Sequence, residues 1–166
     1  MSQFRKSNPY AQHPQWTGSI LADEKSFYRQ FTQDLLEAKQ EVIIDSPFIT
    51  IPRLRSLKSV FEHLIKRGVE IFIVTKNPDE QDEVMAEQSE AGIRYFEALG
   101  GQVLLCEAHH RKLAIIDRKV VWKGSLNILS QTHSRELMER EESKVKAEQL
   151  FKFLKYDQVE FFKKSI

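Results

Sequence analysis

The sequence predicts an α/β fold with a central mixed, largely parallel β-sheet flanked by helices on both faces. Short β-branched runs alternate with segments whose apolar residues recur at helical spacing, and this alternation continues as far as Cys106. The chain has 166 residues, which suits one domain with a sizeable core. We expect residues 1–18 to form an irregular N-terminal arm and residues 19–166 to form that single domain.

The alternating part contains three predicted helices and three predicted strands. Asp23 is a favourable N-cap for the first helix, and Gly68 stands where a helix C-terminus commonly places glycine. The predicted helices cover residues 23–39, about 54–67 and 77–99, and the predicted strands cover residues 41–45, 69–74 and 102–106. Helix and strand in alternation are typical of parallel strand pairs.

The rhythm changes after the third strand. Residues 113–116 and 120–122 are two short apolar runs around Asp117-Arg118-Lys119, which is most simply a β-hairpin. Residues 136–139 are compatible with either strand or helix. Residues 149–162 carry apolar residues at helical spacing and predict a terminal helix.

Composition and charge restrict the function classes. The single cysteine, Cys106, excludes an internal disulfide framework and a cysteine-built zinc site. No apolar run is long enough to span a bilayer, and the first residues lack the apolar segment of a secretory signal. We therefore expect a cytoplasmic protein without membrane association.

The net charge of +1 does not by itself indicate a nucleic-acid-binding protein. The basic residues between positions 109 and 123 nevertheless outnumber the acids, since only Asp117 opposes them there. A locally basic strip on a nearly neutral protein suits a substrate that carries phosphate. A solvated charged face is the alternative explanation of this strip.

The strongest chemical signal lies between His110 and Asn127. Side chains alternate along a strand, so His110 and Lys112 share one face, where an imidazole nucleophile would stand beside a cation. Gly124 allows a close approach of the backbone to a ligand, and Ser125 and Asn127 offer hydroxyl and amide donors to phosphate oxygens. This set of groups suits nucleophilic attack on phosphorus with fixed donors stabilising the charge.

The spacing from His110 to Asn127 reads H-x-K-x4-D-x6-G-S-x-N, which resembles the HKD motif of the phospholipase D superfamily. The resemblance implies that His110 attacks phosphorus and forms a phosphohistidine, and that Lys112, Ser125 and Asn127 bind the phosphate. It implies neither a cofactor nor a metal. Single-motif members are homodimers with one shared site, so the implied partner is a second copy of this chain.

Two acids complete the candidate catalytic set. Asp117 belongs to the motif, but it follows His110 by an odd number of residues and sits at a predicted turn, which favours a structural role. Glu136 is the candidate for orienting His110, because family members place an acid shortly after the G-S-x-N element; an ordinary surface acid is the open alternative. His109 is interpreted as a residue of the loop or rim, because the shifted motif would need lysine where Arg111 stands.

We therefore predict a metal-independent phosphodiesterase, an endonuclease that cleaves DNA or RNA, with DNA the expected substrate. A resemblance of Ser46-Pro47-Phe48-Ile49 and of residues 134–138 to a domain appended to some bacterial helicase-like proteins suggests such a protein as a partner or parent. The alternatives are a catalytically silent nucleic-acid-binding accessory domain and a phospholipid phosphodiesterase. No lipid anchor or basic amphipathic helix supports the lipid alternative.

Overall fold

The structure, a computed structural model, describes residues 18–159. Within this range seven strands form one sheet in the order β1-β7-β6-β5-β2-β3-β4. The strands are β1 Ser19–Asp23, β2 Glu41–Asp45, β3 Glu70–Lys76, β4 Gln102–Cys106, β5 Leu113–Ile116, β6 Val120–Gly124 and β7 Leu137–Glu142. The helices are α1 Phe27–Glu37, α2 Ile51–Lys66, α3 Glu83–Leu99 and α4 Lys144–Phe153, with short 3-10 turns at Pro78–Glu80 and Tyr156–Gln158.

The predicted α/β class with a mixed sheet is confirmed, but the expectation of a largely parallel sheet is wrong. Only β2–β3 and β3–β4 are parallel pairs within the described residues. The β5–β6 hairpin lies antiparallel against β2, and β7 and β1 continue the antiparallel arrangement. The alternation of helix and strand correctly predicted the parallel part, and it carries no information about the strands after β4.

The N-terminal part differs from the sequence prediction in one strand. Residues 1–17 of the expected arm lie outside the described residues, whereas Ser19–Asp23 forms the edge strand β1 against β7. Asp23 therefore ends a strand and does not cap the helix directly. Its carboxylate instead accepts hydrogen bonds from the Lys25 and Ser26 backbone N–H groups, which tightens the turn before α1. Of residues 136–139, which are compatible with either strand or helix, the last three begin the strand β7, Leu137–Glu142.

Helices cover both faces of the sheet, as predicted. On one face α1, α2 and α3 enclose a core in which Phe27 and Phe31 of α1 pack against Trp122 of β6. The Trp122 indole N–H donates to the buried carboxylate of Asp34 at 2.6 Å, which satisfies its one polar group. On the other face α4 and the following 3-10 turn bury Phe151 and Tyr156 against the sheet. The predicted terminal helix over residues 149–162 thus ends early in the described part, at Phe153.

A tight turn closes the β5–β6 hairpin and fixes the strands that carry the motif. Asp117 and Arg118 both have positive φ, 51° and 50°, as the favoured two-residue hairpin turns require. The Asp117 carboxylate accepts hydrogen bonds from three successive backbone N–H groups, those of Lys39, Gln40 and Glu41, at 2.8, 2.8 and 3.0 Å. The carboxylate thereby connects the hairpin turn to the beginning of β2.

Candidate active site

His110 lies at the edge of the sheet where the parallel strands β2, β3 and β4 end and β5 begins. Its side chain is exposed, whereas that of Lys112, two residues further along, is half-buried. Lys112 Nζ donates a hydrogen bond to the His110 carbonyl oxygen at 2.6 Å. The ends of parallel strands are where open α/β sheets commonly bind their ligands. His110 and Lys112 thus lie next to each other on an accessible edge.

The hairpin brings the second half of the motif back to the first. Leu113 pairs with Lys123, and the Gly124 N–H donates to the Lys112 carbonyl oxygen at 3.2 Å. A Cβ atom at Gly124 would overlap with the backbone of β7 and would lie 2.9 Å from Met138 Cα. Glycine is required here because the backbones of β6 and β7 pass each other closely. This close packing fixes the position of the next residue, Ser125.

Ser125 and Asn127 follow β6 at the same edge. Ser125 is exposed, and its Oγ accepts a hydrogen bond from the Leu137 N–H at 3.1 Å. Asn127 is half-buried, and its carbonyl oxygen accepts backbone N–H bonds from Ser130 and Gln131. In the described part of the chain, Asn127 Oδ1 is buried without a hydrogen-bond partner. Buried amide oxygens are normally paired, so this oxygen is an exception within the described structure.

Glu136 lies just before β7, in the loop that follows the G-S-x-N element. Its Oε1 accepts a hydrogen bond from Ser134 Oγ at 2.6 Å, and its backbone N–H donates to Glu24 Oε2 at 3.0 Å. These hydrogen bonds do not join Glu136 to His110. A role in orienting the histidine therefore stays a prediction.

Asp117 lies at the opposite end of β5 from His110. The strand between them and its flanking residues span roughly 23 Å, at about 3.3 Å per residue. Its three backbone hydrogen bonds hold a turn, so the geometry does not support its inclusion among the catalytic residues. The odd spacing from His110 favoured a structural role for Asp117, and its contacts with the start of β2 provide one.

His109 is placed differently from the sequence prediction. It was expected in the loop or rim, but it is only 4% exposed, and its Nε2 contacts the Oδ1 of Asp45, a carboxylate with no exposed surface. Asp45 Oδ2 also accepts hydrogen bonds from Arg111 Nε at 3.0 Å and from the Tyr156 hydroxyl at 2.5 Å. Burial and the neighbouring charge of Asp45 raise the pKa of Tyr156 above its usual value, so the hydroxyl stays protonated and donates.

A signal for this cluster was present in the sequence. Asp45 ends the first buried strand, and His109 and Arg111 stand two residues apart on either side of the proposed nucleophile. What the sequence could not supply is the pairing of Asp45 with Leu113, which brings β2 beside β5.

The basic strip of the sequence is divided between the two ends of the hairpin. Arg118 binds Glu41 and Lys119 binds Glu142, so these cations are used in ion pairs far from His110. At the motif end, Arg111, Lys112 and Lys123 line an open groove of about 580 Å³ together with Leu21, Leu113, Gly124, Leu137 and Glu139. Lys123 forms an ion pair at 3.3 Å with Glu139, its partner on the adjacent strand β7. The cationic character of the site therefore comes from fewer residues than the strip suggested.

Within residues 18–159, no group of His, Cys, Asp and Glu side chains is arranged to hold a metal ion. None of the helices there combines the length and the apolar character needed to cross a membrane.

The comparisons with known proteins agree with the motif. The family model described as "Cardiolipin synthase, PLD-like domain" matches residues 31–155, which include every motif residue. None of the curated proteins compared with the chain matches it.

Several solved structures share the fold. NucT from Helicobacter pylori has a TM-score of 0.67 at 17% identity, covering 83% of this chain and 93% of that protein. Nuc from Salmonella typhimurium, described as a phospholipase D family member, has a TM-score of 0.67 at 18% identity, covering 81% of this chain and 90% of that protein. The phosphatidylserine synthase of Haemophilus influenzae Rd KW20 has a TM-score of 0.61 at 12% identity, covering 84% of this chain and 37% of that protein. With the family match over most of its length and the motif at one edge of the sheet, the chain belongs to the phospholipase D superfamily.

Proposed function

We propose that the protein is an endonuclease that cleaves phosphodiester bonds of DNA or RNA, with DNA the expected substrate, through a phosphohistidine formed on His110. The observation that carries the proposal is the meeting of the two motif halves, through the Gly124–Lys112 backbone hydrogen bond, beside an exposed His110. That arrangement offers a nucleophile, a cation and neutral donors at one open edge of the sheet. The family match over residues 31–155 supports chemistry on a phosphodiester.

The proposed reaction has two steps. An imidazole nitrogen of His110 bonds to phosphorus as the bond to the leaving oxygen breaks, and that oxygen takes a proton from a second histidine. Water then attacks the phosphohistidine, gives its proton to the second histidine and releases the phosphate as the phosphorus–nitrogen bond breaks. Lys112, Ser125 and Asn127 stabilise the negative charge on the phosphoryl oxygens in both steps.

The second histidine is proposed to be His110 of a second copy of the chain. Of the described histidines, His63 lies on the exposed surface of α2, His109 is buried against Asp45, and His133 lies in an exposed loop. None of these has the lysine, serine and asparagine that accompany His110. A two-fold axis beside His110 would supply the missing proton donor, because every residue near such an axis is paired with itself.

The exposed edge is compatible with a long polymer substrate. The groove beside Lys112 is open, and the side chains of Arg111 and Lys123 are 43% and 40% exposed. Cations along an open groove bind the phosphates of a nucleic acid in a salt-dependent manner. A helicase-like protein, as parent or partner, would deliver such a substrate.

Cleavage assays in excess chelator test the proposal. Labelled DNA, labelled RNA and a short-chain phospholipid are each incubated with the protein and EDTA, and we expect cleavage of nucleic acid. His110→Ala and Lys112→Ala should abolish turnover while the far-UV spectrum is kept, and His63→Ala serves as the matched histidine control. Activity that vanishes in chelator and returns with magnesium contradicts the mechanism, and binding without cleavage indicates a silent accessory domain.

Subunit mixing tests the shared site separately. Wild-type and His110→Ala chains are mixed in varying ratio after mild denaturation and refolding. If each site needs both histidines, activity falls as the square of the wild-type fraction. A linear decline would mean that one chain carries a complete site.

A further inference from the structure

Asp45 is a buried carboxylate that the proposed chemistry does not use. It ends β2 with no exposed surface, and it holds three side chains: His109, Arg111 and Tyr156. Burying an ionised carboxylate is costly unless it is paired and hydrogen-bonded. Asp45 Oδ2 accepts hydrogen bonds from Arg111 and Tyr156, whereas Oδ1 lies against His109 Nε2 in a contact without hydrogen-bond geometry. A buried carboxylate destabilises a core unless its charge is compensated, and this one lies directly beside the motif.

The position follows from the pairing of β2 with β5. Asp45 pairs with Leu113, and directly paired residues in an antiparallel ladder share a face of the sheet. Leu113 belongs to the core beneath α4, so Asp45 points to that face as well. Arg111 and His109 precede Leu113 by two and four residues, and their contacts with Asp45 keep them on this same face.

The residues bound to Asp45 are the two immediate neighbours of His110. Because both neighbours of His110 are held on the α4 face, the backbone between them has little freedom to rotate, which restricts the direction of the His110 side chain. The segment that carries His110 belongs to no regular strand, and β5 begins only at Leu113. Its side-chain direction is therefore not secured by ladder hydrogen bonds alone.

We propose that Asp45 is a positioning residue, which holds both neighbours of His110 and thereby orients the imidazole toward the substrate phosphate. Its consequence for turnover rests on the proposed nuclease function. Its consequence for the orientation of His110 does not, because the contacts belong to the folded chain alone. Tyr156 supports the carboxylate from the 3-10 turn after α4 by donating to Oδ2, whereas His109 lies against Oδ1.

Two variants separate positioning from general stabilisation. Asp45→Asn keeps the shape and an acceptor for the Tyr156 hydroxyl, but it removes the charge that holds Arg111 and His109. Tyr156→Phe removes the hydroxyl and leaves the other two contacts of the carboxylate in place. Both variants perturb the same buried cluster, so Tyr156→Phe is the matched control for stability.

The measurements are steady-state kinetics and NMR of the histidine imidazoles, with the His110 signal assigned by its loss in His110→Ala. In Asp45→Asn we expect kcat to fall by roughly ten- to a hundredfold, the scale of a misplacement of about 1 Å. KM should stay within about twofold of the wild-type value, because the variant weakens stabilisation of the transition state and leaves substrate binding intact. The His110 signal should shift or broaden, while Tyr156→Phe keeps both the kinetics and the signal close to wild type.

Equal effects of the two variants on kcat and on the His110 signal would overturn the proposal. If Asp45→Asn fails to fold, Arg111→Met replaces it, because Arg111 is partly exposed and its loss releases one neighbour of His110 without leaving Asp45 wholly unpaired. An unchanged His110 signal in Arg111→Met would then overturn it. If the wild-type protein cleaves no phosphodiester, the proposed function fails, and the NMR comparison still decides the positioning role.

Discussion

The Asp117 carboxylate offers the sharpest test of whether this motif residue is structural or catalytic. In Asp117→Asn, Oδ1 can still accept the N–H groups of Gln40 and Glu41, but the new amide group would face the Lys39 N–H, donor against donor. A hydrogen bond to a charged group contributes about 1.5–3 kcal/mol, and Asp117 is half-buried, which favours the lower part of that range. We expect the free energy of unfolding to fall by about 2 kcal/mol.

That loss should lower Tm by roughly 4–8 °C for a chain of this length. Asparagine tolerates the positive φ of this position, so the substitution isolates the carboxylate from the backbone conformation. Thermal unfolding followed by circular dichroism measures the shift. Glu87→Gln, which removes the same charge from an exposed position on α3, should change the free energy of unfolding by less than about 0.5 kcal/mol.

Activity completes the test. Measured well below Tm, the kcat of Asp117→Asn should stay within about twofold of wild type, because the residue acts on neither ground state nor transition state. A large loss of kcat with an unchanged Tm would refute the structural assignment. An unchanged Tm with unchanged kcat would refute the energetic value given to its three hydrogen bonds.

Two further predictions follow from burial and close packing. Burial and the charge of Asp45 raise the pKa of Tyr156, so the folded protein keeps the hydroxyl proton that the unfolded chain loses near the ordinary pKa of 10.0. The contribution of this group to the free energy of unfolding is therefore present below pH 10 and lost as the pH rises above it. Denaturant unfolding should show that the free energy of unfolding declines at alkaline pH. In Tyr156→Phe this decline should be shallower by up to about 1.4 kcal/mol per pH unit. An identical slope in both proteins would contradict the prediction. Gly124→Ala should lose activity, and its free energy of unfolding should fall by about 2 kcal/mol or more, because the added methyl group overlaps the β7 backbone at Leu137. A wild-type Tm and turnover in this variant would contradict the prediction, because β6 and β7 would then move apart without loss of stability.

The fold could be predicted where local pattern and tertiary structure agree. The apolar stripes of α1 and α2 and the β-branched run of β2 correctly predicted buried elements, because each is amphipathic or apolar at its own period. β1 was not predicted, because an edge strand with only one core residue, Ala22, carries little periodic signal. The antiparallel half of the sheet was missed for a different reason. Strand direction depends on long-range pairing, which residue spacing does not encode.

The chemical groups available to this protein can be predicted from residue types and their spacing. The H-x-K and G-S-x-N spacings place a histidine, a lysine and two neutral donors in reach of one hairpin, and the structure brings these elements to one edge. The surroundings of these groups depend on tertiary contacts. The pairing of β2 with β5 sets Asp45 beneath His109 and Arg111, and the hairpin turn carries Asp117 away from the site. Local spacing is read along one strand, whereas these contacts join residues more than sixty positions apart, and only the folded chain brings such residues together.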